Sequence, residues 1–157
     1  MDGRILRPPQ TLEIVFREAQ TSDAAEITRL CTQWGYPMSE QRSRECLEAL
    51  LPSENDAVYV AELESSQLAG WAHVQTRDLI SSQSFSEIVG IVVDESIRRQ
   101  GVGRRLIEKC EAWAMAKQLP ELWVKSNVIR PEAHEFYPGI GFKLAKTQQA
   151  YSKKLSQ

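Results

Sequence analysis

The sequence predicts a mixed α/β (α+β) domain. Segments with strand-like alternation and segments with a helical apolar stripe follow one another along the chain. One run, Ile88-Val89-Gly90-Ile91-Val92-Val93, is almost continuously β-branched and feeds a glycine-punctuated turn into a helix. With 157 residues, the chain is long enough to enclose one hydrophobic core.

Residues 1–11 are expected to form a flexible arm, since Pro8-Pro9 discourages regular structure, and residues 12–157 a single domain. Leu12–Arg17 reads as the first strand. Thr21-Ser22-Asp23 offers capping side chains to a helix whose stripe is Ala24, Ile27, Leu30 and Cys31. Trp34-Gly35-Tyr36-Pro37 breaks that helix, and Ser39 can cap a second one ending near Leu51-Pro52. Ala57–Leu63 and Leu68–Gln75 read as strands joined across Glu64-Ser65-Ser66-Gln67, which is hairpin length.

Polar Ser81-Ser82-Gln83-Ser84 leads into Glu87–Val93, expected to be a central strand buried on both faces. A helix follows from Val102 to Lys117, its stripe formed by Val102, Leu106, Cys110, Trp113 and Ala114, and Pro120 lies beyond its end. Leu122-Trp123-Val124 begins another strand. Pro131 is well placed to start a short helix through Phe136, and Pro138 disfavours helical geometry at Tyr137. Gly141–Leu144 and Ala150–Lys153 look like a closing antiparallel pair. The order is βααβββαβαββ, about seven strands with about four helices.

Composition removes several function classes. Nineteen Lys and Arg against 21 Asp and Glu give a net charge of −2, which argues against a protein built to hold nucleic-acid phosphates. No apolar run approaches the roughly 20 residues that span a bilayer, and the first residues do not resemble a secretory leader. No membrane partner and a cytoplasmic location are therefore expected. Only His73 and His134 are available as histidine ligands, without a Cys or carboxylate cluster, so no metal is expected. Cys31, Cys46 and Cys110 show no Cys-x-x-Cys spacing and read as small buried side chains.

The chemistry concentrates in Val92–Arg104. A strand runs through a short turn into Arg98-Arg99-Gln100-Gly101-Val102-Gly103-Arg104, a basic loop that opens a helix. Unpaired N–H groups and the helix dipole make such an end attractive to an anion, and glycines let backbone approach it closely. These features describe a pyrophosphate cradle. A Walker loop would need Gly-Lys-Ser/Thr where Gly103-Arg104-Arg105 stands. The Rossmann fingerprint would need a third glycine where Leu106 stands.

Arg98-x-x-Gly101-x-Gly103 resembles the central Arg/Gln-x-x-Gly-x-Gly/Ala motif of the GNAT superfamily of N-acetyltransferases. Arg17-Glu18-Ala19…Asp23-Ala24…Ile27…Leu30 is similar to the family's first strand and helix. Asn127…Ala133-His134-Glu135-Phe136-Tyr137…Gly141-Phe142 is similar to its later signature. The resemblance implies a twisted, mostly antiparallel mixed sheet with helices on both faces and acetyl-CoA as co-substrate. The strand ending Ile91-Val92-Val93 would splay from Leu122–Ser126, with backbone of Val92 and Val93 pairing with the pantetheine arm. Amides from Arg98 to Arg104 would hold the pyrophosphate, Asn127 would steady the pantetheine, and Tyr137 would be the general acid.

Glu87 is the candidate base, acting through water, because a primary ammonium must lose a proton before it can attack a thioester. The Val93 N–H region would stabilise the resulting oxyanion. Trp34 and Tyr36 occupy the break where the family places its acceptor lid, and His73 alternates with Trp71 towards the acceptor cleft. Each has a plainer alternative: Glu87 as a solvated strand end, Asn127 as a turn cap, Tyr137, Trp34 and Tyr36 as packing aromatics, His73 as a structural histidine. The acceptor would be a small-molecule amine or a peptide amine, and pairing of C-terminal strands could make a homodimer. The competing functions are a non-catalytic acyl-CoA-binding or regulatory module on the same scaffold, and a nucleotide-binding module.

Overall fold

The computed structural model describes residues 12–97, 99–126 and 131–156. The chain divides into two compact units, Met1–Lys125 and Ser126–Gln157. In the first, strands β1 (Ile14–Glu18), β2 (Asp56–Leu63), β3 (Leu68–Arg77), β4 (Phe85–Val93) and β5 (Leu122–Val124) form one sheet in sequence order. Its pairings are antiparallel except β4 with β5, which run parallel. Three helices belong to this unit: α1 (Ala24–Gln33), α2 (Glu40–Leu50) and α3 (Val102–Ala116).

Sequence periodicity explains which helix takes which face. Val58 and Val60, two residues apart on β2, pack with Ala24, Ile27, Leu30 and Cys31 of α1 and with Leu47 of α2. On the opposite face a Cβ at Gly70 would stand 3.2 Å from Leu106 and 3.3 Å from Val102, so α3 lies against that side. Of its expected stripe, Val102, Leu106, Cys110 and Ala114 are buried, with Ile107 beside them, whereas Trp113 is half-buried. Full burial of an aliphatic side chain stabilises by about 1.5–3 kcal/mol, and Leu30, Leu68, Leu106 and Ile107 are all completely enclosed.

The helix starts differ in chemistry. Ser39 caps α2 by accepting from Arg42 N at 3.1 Å, as its side chain allows. Before α1, Asp23 accepts from Gln20 N at 2.7 Å and from both terminal nitrogens of Arg17, at 2.9 and 2.8 Å. A 3₁₀ turn, Thr21–Asp23, therefore precedes the helix, held by a carboxylate that also anchors β1.

Two expectations change. β4 is fully buried only at Ser86, Glu87 and Ile88, whereas Val89 is 42% exposed. Its pairing with β5 stops at Ile88↔Val124, so among the described residues the rest of β4 has a strand neighbour on one side only. Five strands rather than seven are formed among the described residues, since residues 141–156 carry no strand. Two short segments separated by Ala145–Gln149 make a weak hairpin by themselves.

In the second unit, α4 (Pro131–Gly139) continues through Pro138 instead of stopping before it. Pro138 falls in the last turn, where losing one N–H removes a single helical bond. The exit tightens through Ile140 N to Tyr137 O and Gly141 N to Pro138 O, both 3.2 Å, and Gly141 takes a left-handed φ of 100°.

Candidate acyl-CoA and acceptor site

The end of β4 is a half-paired strand whose free amides can be identified. Asp94 N donates to Ala69 O at 2.8 Å, which fixes the phase of the β3–β4 ladder. In an antiparallel ladder, alternate residues turn their N–H and C=O towards the neighbouring strand. With Trp71↔Val92 and His73↔Gly90 in register, the amides of Val92 and Gly90 face β3. Those of Ile91 and Val93 face the side that β5 has left. The arrangement corrects the expectation for Val92, whose backbone belongs to the sheet, and keeps Ile91 and Val93 as edge groups.

A bulge lies at this point. His73 pairs with Gly90 but Val74 pairs with Ile88, leaving Val89 as the extra residue. Beside it, a Cβ on Gly90 would stand 2.7 and 2.8 Å from the Trp71 ring, closer than packing permits. Gly90 is therefore the seat of the Trp71 indole.

Beyond β4 the chain turns through a 3₁₀ element, Glu95–Ile97, into the basic loop. Arg99 has φ of 65° and Gly101 has φ of 73°, both left-handed, and Gly101 is the N-cap of α3. Lacking a side chain, Gly101 cannot cap the helix, and the first turn contains no acidic residue. The amides of Val102, Gly103 and Arg104 therefore start an uncapped helix at its positive end. Arg104 is exposed and lies 3.4 Å from Glu108 on the same helix. Arg105 stacks over the Phe16 ring at 4.1 Å, so it packs against β1. Arg98 and Asn127 lie outside the described residues.

The register also assembles a polar rank on the α1/α2 face. Asp56↔Gln75, Gln75↔Glu87 and Glu87↔Trp123 place one residue from each of β2–β5 in a single row. His73 stands in the adjacent row, opposite Val58 and Gly90. Asp56 Oδ1 binds His73 Nε2 at 2.8 Å and Gln75 Nε2 at 3.0 Å, while Oδ2 accepts from Ser53 at 2.8 Å. Although burial pushes the Asp56 carboxyl up, these bonds outweigh it and hold the group below the usual carboxylate range. Glu87 is buried at 7% exposure, with Lys125 Nζ 3.6 Å from Oε2.

Thus Glu87 and His73 stand on the same sheet face of neighbouring strands, while Ile91 and Val93 lie four and six residues further along β4 on its unpaired edge. Asp56 is the polar partner that sequence reading missed. Its only signal was its place at the start of a strand whose alternate residues share a face with His73, and the bond needs the β2–β3 register to be known.

Trp34 differs from its expected lid role. Its indole N–H donates to Val93 O at 2.8 Å, fastening the α1–α2 connection to β4. Tyr36 remains 61% exposed. Tyr137 belongs to the second unit, where its ring meets Phe136 and Phe142 edge-on at 5.1 and 5.6 Å. Cys31 and Cys110 are buried, and burial pushes the Cys110 thiol up to about 12. Among the described residues no helix is long and apolar enough to cross a membrane.

A strand end unpaired on one side and leading through a basic loop into an uncapped helix start defines the arrangement of this α/β domain. Residues 22–142 match the model of the acetyltransferase (GNAT) family, and the chain belongs to that family. No curated protein matches it. Solved structures do: the aminoglycoside N-acetyltransferase AAC(6')-Iy in complex with CoA has a TM-score of 0.82 at 19% identity, over 94% of this chain and 99% of that one. The aminoglycoside antibiotic 6'-N-acetyltransferase AAC(6')-Ih from Acinetobacter baumannii has a TM-score of 0.76 at 17% identity, over 92% and 100%. A transcriptional regulator from Bacillus halodurans C-125 has a TM-score of 0.80 at 16% identity, over 90% and 100%. At these identities the likeness is one of fold.

Proposed function

We propose that the protein transfers the acetyl group of acetyl-CoA to a primary amine by direct attack within a ternary complex. The observation that carries this reading is the unpaired edge of β4 beyond Ile88, which continues into the uncapped start of α3. The pantetheine arm would lie along that edge, paired with Ile91 and Val93. Arg98, Arg99, Gln100, Gly101, Val102, Gly103 and Arg104 would surround the pyrophosphate, chiefly through backbone N–H groups. The similarity to an acetyltransferase crystallised with CoA supports the same cofactor.

Glu87, acting through water, takes the proton that the acceptor ammonium must lose, and the freed amine attacks the thioester carbonyl. The Val93 N–H stabilises the oxyanion as it forms. Tyr137 returns a proton to the departing thiolate, and Asn127 steadies the pantetheine. Residues 12–157 act as one functional domain, with no metal and no covalent enzyme intermediate. The acceptor, a small-molecule or peptide amine, enters on the α1/α2 face, where Asp56 and Glu87 favour a cation and Tyr36 borders the entrance. Exposed Leu144, Tyr151 and Leu155 support pairing of the C-terminal segment with a second copy in a homodimer.

Thermal midpoints with saturating acetyl-CoA, ATP and NAD test the cofactor, and CoA thiol release tests turnover across a panel of alkylamines, polyamines, aminoglycosides and peptide amines. A shift with acetyl-CoA alone, at about 2.7 kcal/mol for a ligand at 100 times its dissociation constant, supports the reading. A shift only with ATP or NAD overturns it. Binding without turnover across the panel would favour an acyl-CoA-sensing module instead. Glu87→Gln and Tyr137→Phe should each slow turnover about a hundredfold while leaving acetyl-CoA affinity intact.

A further inference from the structure

Helix α1 belongs to the α1/α2 layer, yet its C-terminal half and its C-cap also bond the end of β4 and the turn that follows it. Arg29 Nη1 donates to Asp94 Oδ2 at 2.9 Å, and Gln33 Nε2 donates to Asp94 Oδ1 at 3.3 Å. Gln33 Oε1 accepts from Glu95 N at 3.0 Å, and Trp34 Nε1 donates to Val93 O at 2.8 Å. Arg29 and Gln33 of α1, with Trp34 at its C-cap, thus hold three consecutive residues, Val93-Asp94-Glu95. Asp94 in turn accepts from Ser96 N at 2.9 Å and Ser96 Oγ at 2.8 Å, closing the turn that launches the Arg99–Gly101 loop.

We propose that the C-terminal end of α1 positions the acyl-CoA site: Arg29, Gln33 and the C-cap Trp34 hold the β4 edge and the root of the phosphate loop in their ligand-binding geometry. The inference rests on the acetyl-CoA reading and deepens it. Two consequences follow from the bonds. With Trp34 on the Val93 carbonyl, that oxygen is already satisfied, which leaves the Val93 N–H and both polar groups of Ile91 for the pantetheine arm. With Gln33 on the Glu95 N–H and Asp94 closing the next turn, the loop leaves β4 in one direction, so its amides are arranged before the anion arrives. Fixing the geometry beforehand removes an ordering cost from binding. Helical spacing makes the grip possible, because Arg29 and Gln33 are four residues apart and share a face.

Calorimetric titration of the full chain with acetyl-CoA tests the proposal, using wild type, Trp34→Phe, Gln33→Ala and Thr28→Ala. Trp34→Phe keeps an aromatic ring but deletes the N–H, and Gln33→Ala removes both amide contacts. Thr28→Ala is the control, because its hydroxyl bonds Ala24 O and Ser43 Oγ, both at 2.8 Å, within the α1/α2 layer and away from β4. The expected result is a dissociation constant raised about fivefold by Trp34→Phe and by Gln33→Ala, with wild-type affinity in Thr28→Ala even if its ligand-free midpoint falls. Unchanged affinity in both grip variants overturns the proposal, as does an equal loss in Thr28→Ala, which would mean general loosening. Wild type that fails to bind acetyl-CoA instead sinks the cofactor reading itself.

Discussion

His73 Nε2 lies 2.8 Å from Asp56 Oδ1, and Gln75 Nε2 shares that same oxygen at 3.0 Å. The histidine thereby has one ring nitrogen committed to a carboxylate, on the sheet face that also carries Glu87. Asp56→Asn keeps the side-chain shape and removes the charge that orients the ring. The expected outcome is an acceptor KM raised about tenfold, with acetyl-CoA affinity unchanged, in steady-state assays with whichever amine turns over fastest. An unchanged KM would leave the pair as sheet packing.

Gly101 sits at φ of 73° with nothing within 4 Å of where its Cβ would be. Space is therefore not the obstacle; backbone conformation is. Gly101→Val should lose about 1–2 kcal/mol of stability and weaken acetyl-CoA binding by tenfold or more, because the residue will pull the loop out of its left-handed geometry. Thermal midpoint and calorimetric affinity measured on one preparation separate the two effects.

At Gly90 the situation is reversed, since the Trp71 ring occupies the space. Gly90→Ala should cost about 1–3 kcal/mol through displacement of the indole. The double variant with Trp71→Leu should recover part of that loss relative to Trp71→Leu alone. Purely additive midpoint shifts would mean that the indole moves aside without strain.

Asp94 gives a pH signature. Burial at 5% exposure raises its pKa, but bonds from Ser96, Arg29 and Gln33 prevail and hold it at about 2. A group depressed in the folded state contributes stability that is complete above its unfolded value of 3.8 and is lost as pH falls through about 2. Asp94→Asn should remove on the order of 2 kcal/mol at neutral pH and flatten the stability profile between pH 4 and about 2. Denaturant unfolding at several pH values reads both changes. A profile identical to wild type in that window would show that other carboxylates govern acid unfolding.

Much of this could be read directly from the sequence. The α1 stripe of Ala24, Ile27, Leu30 and Cys31 and the α3 stripe of Val102, Leu106, Cys110, Trp113 and Ala114 are local periodicities, and all but the half-buried Trp113 are buried in the fold. The short link between β2 and β3 fixed their antiparallel pairing. Gly101 and Gly103 marked the loop as one where backbone can approach a partner closely.

What the sequence could not contain is the outcome of contacts between residues far apart along it. Periodicity assigns a residue to a face but not to a partner, so Trp34 read equally well as lid or packing until its N–H was found on Val93, 59 positions away. Asp56 became visible beside His73 only through the β2–β3 register, and the division of β4 amides between sheet and free edge needed the phase of the ladder. Sequence alone determined the elements from β1 to β5, the apolar faces of α1 and α3 and the place of the glycine-marked basic loop, because these follow from local backbone preference and patterning. Tertiary structure decided which polar groups meet, because a hydrogen bond depends on placement to within a few tenths of an ångström, which only the packed sheet and helices supply.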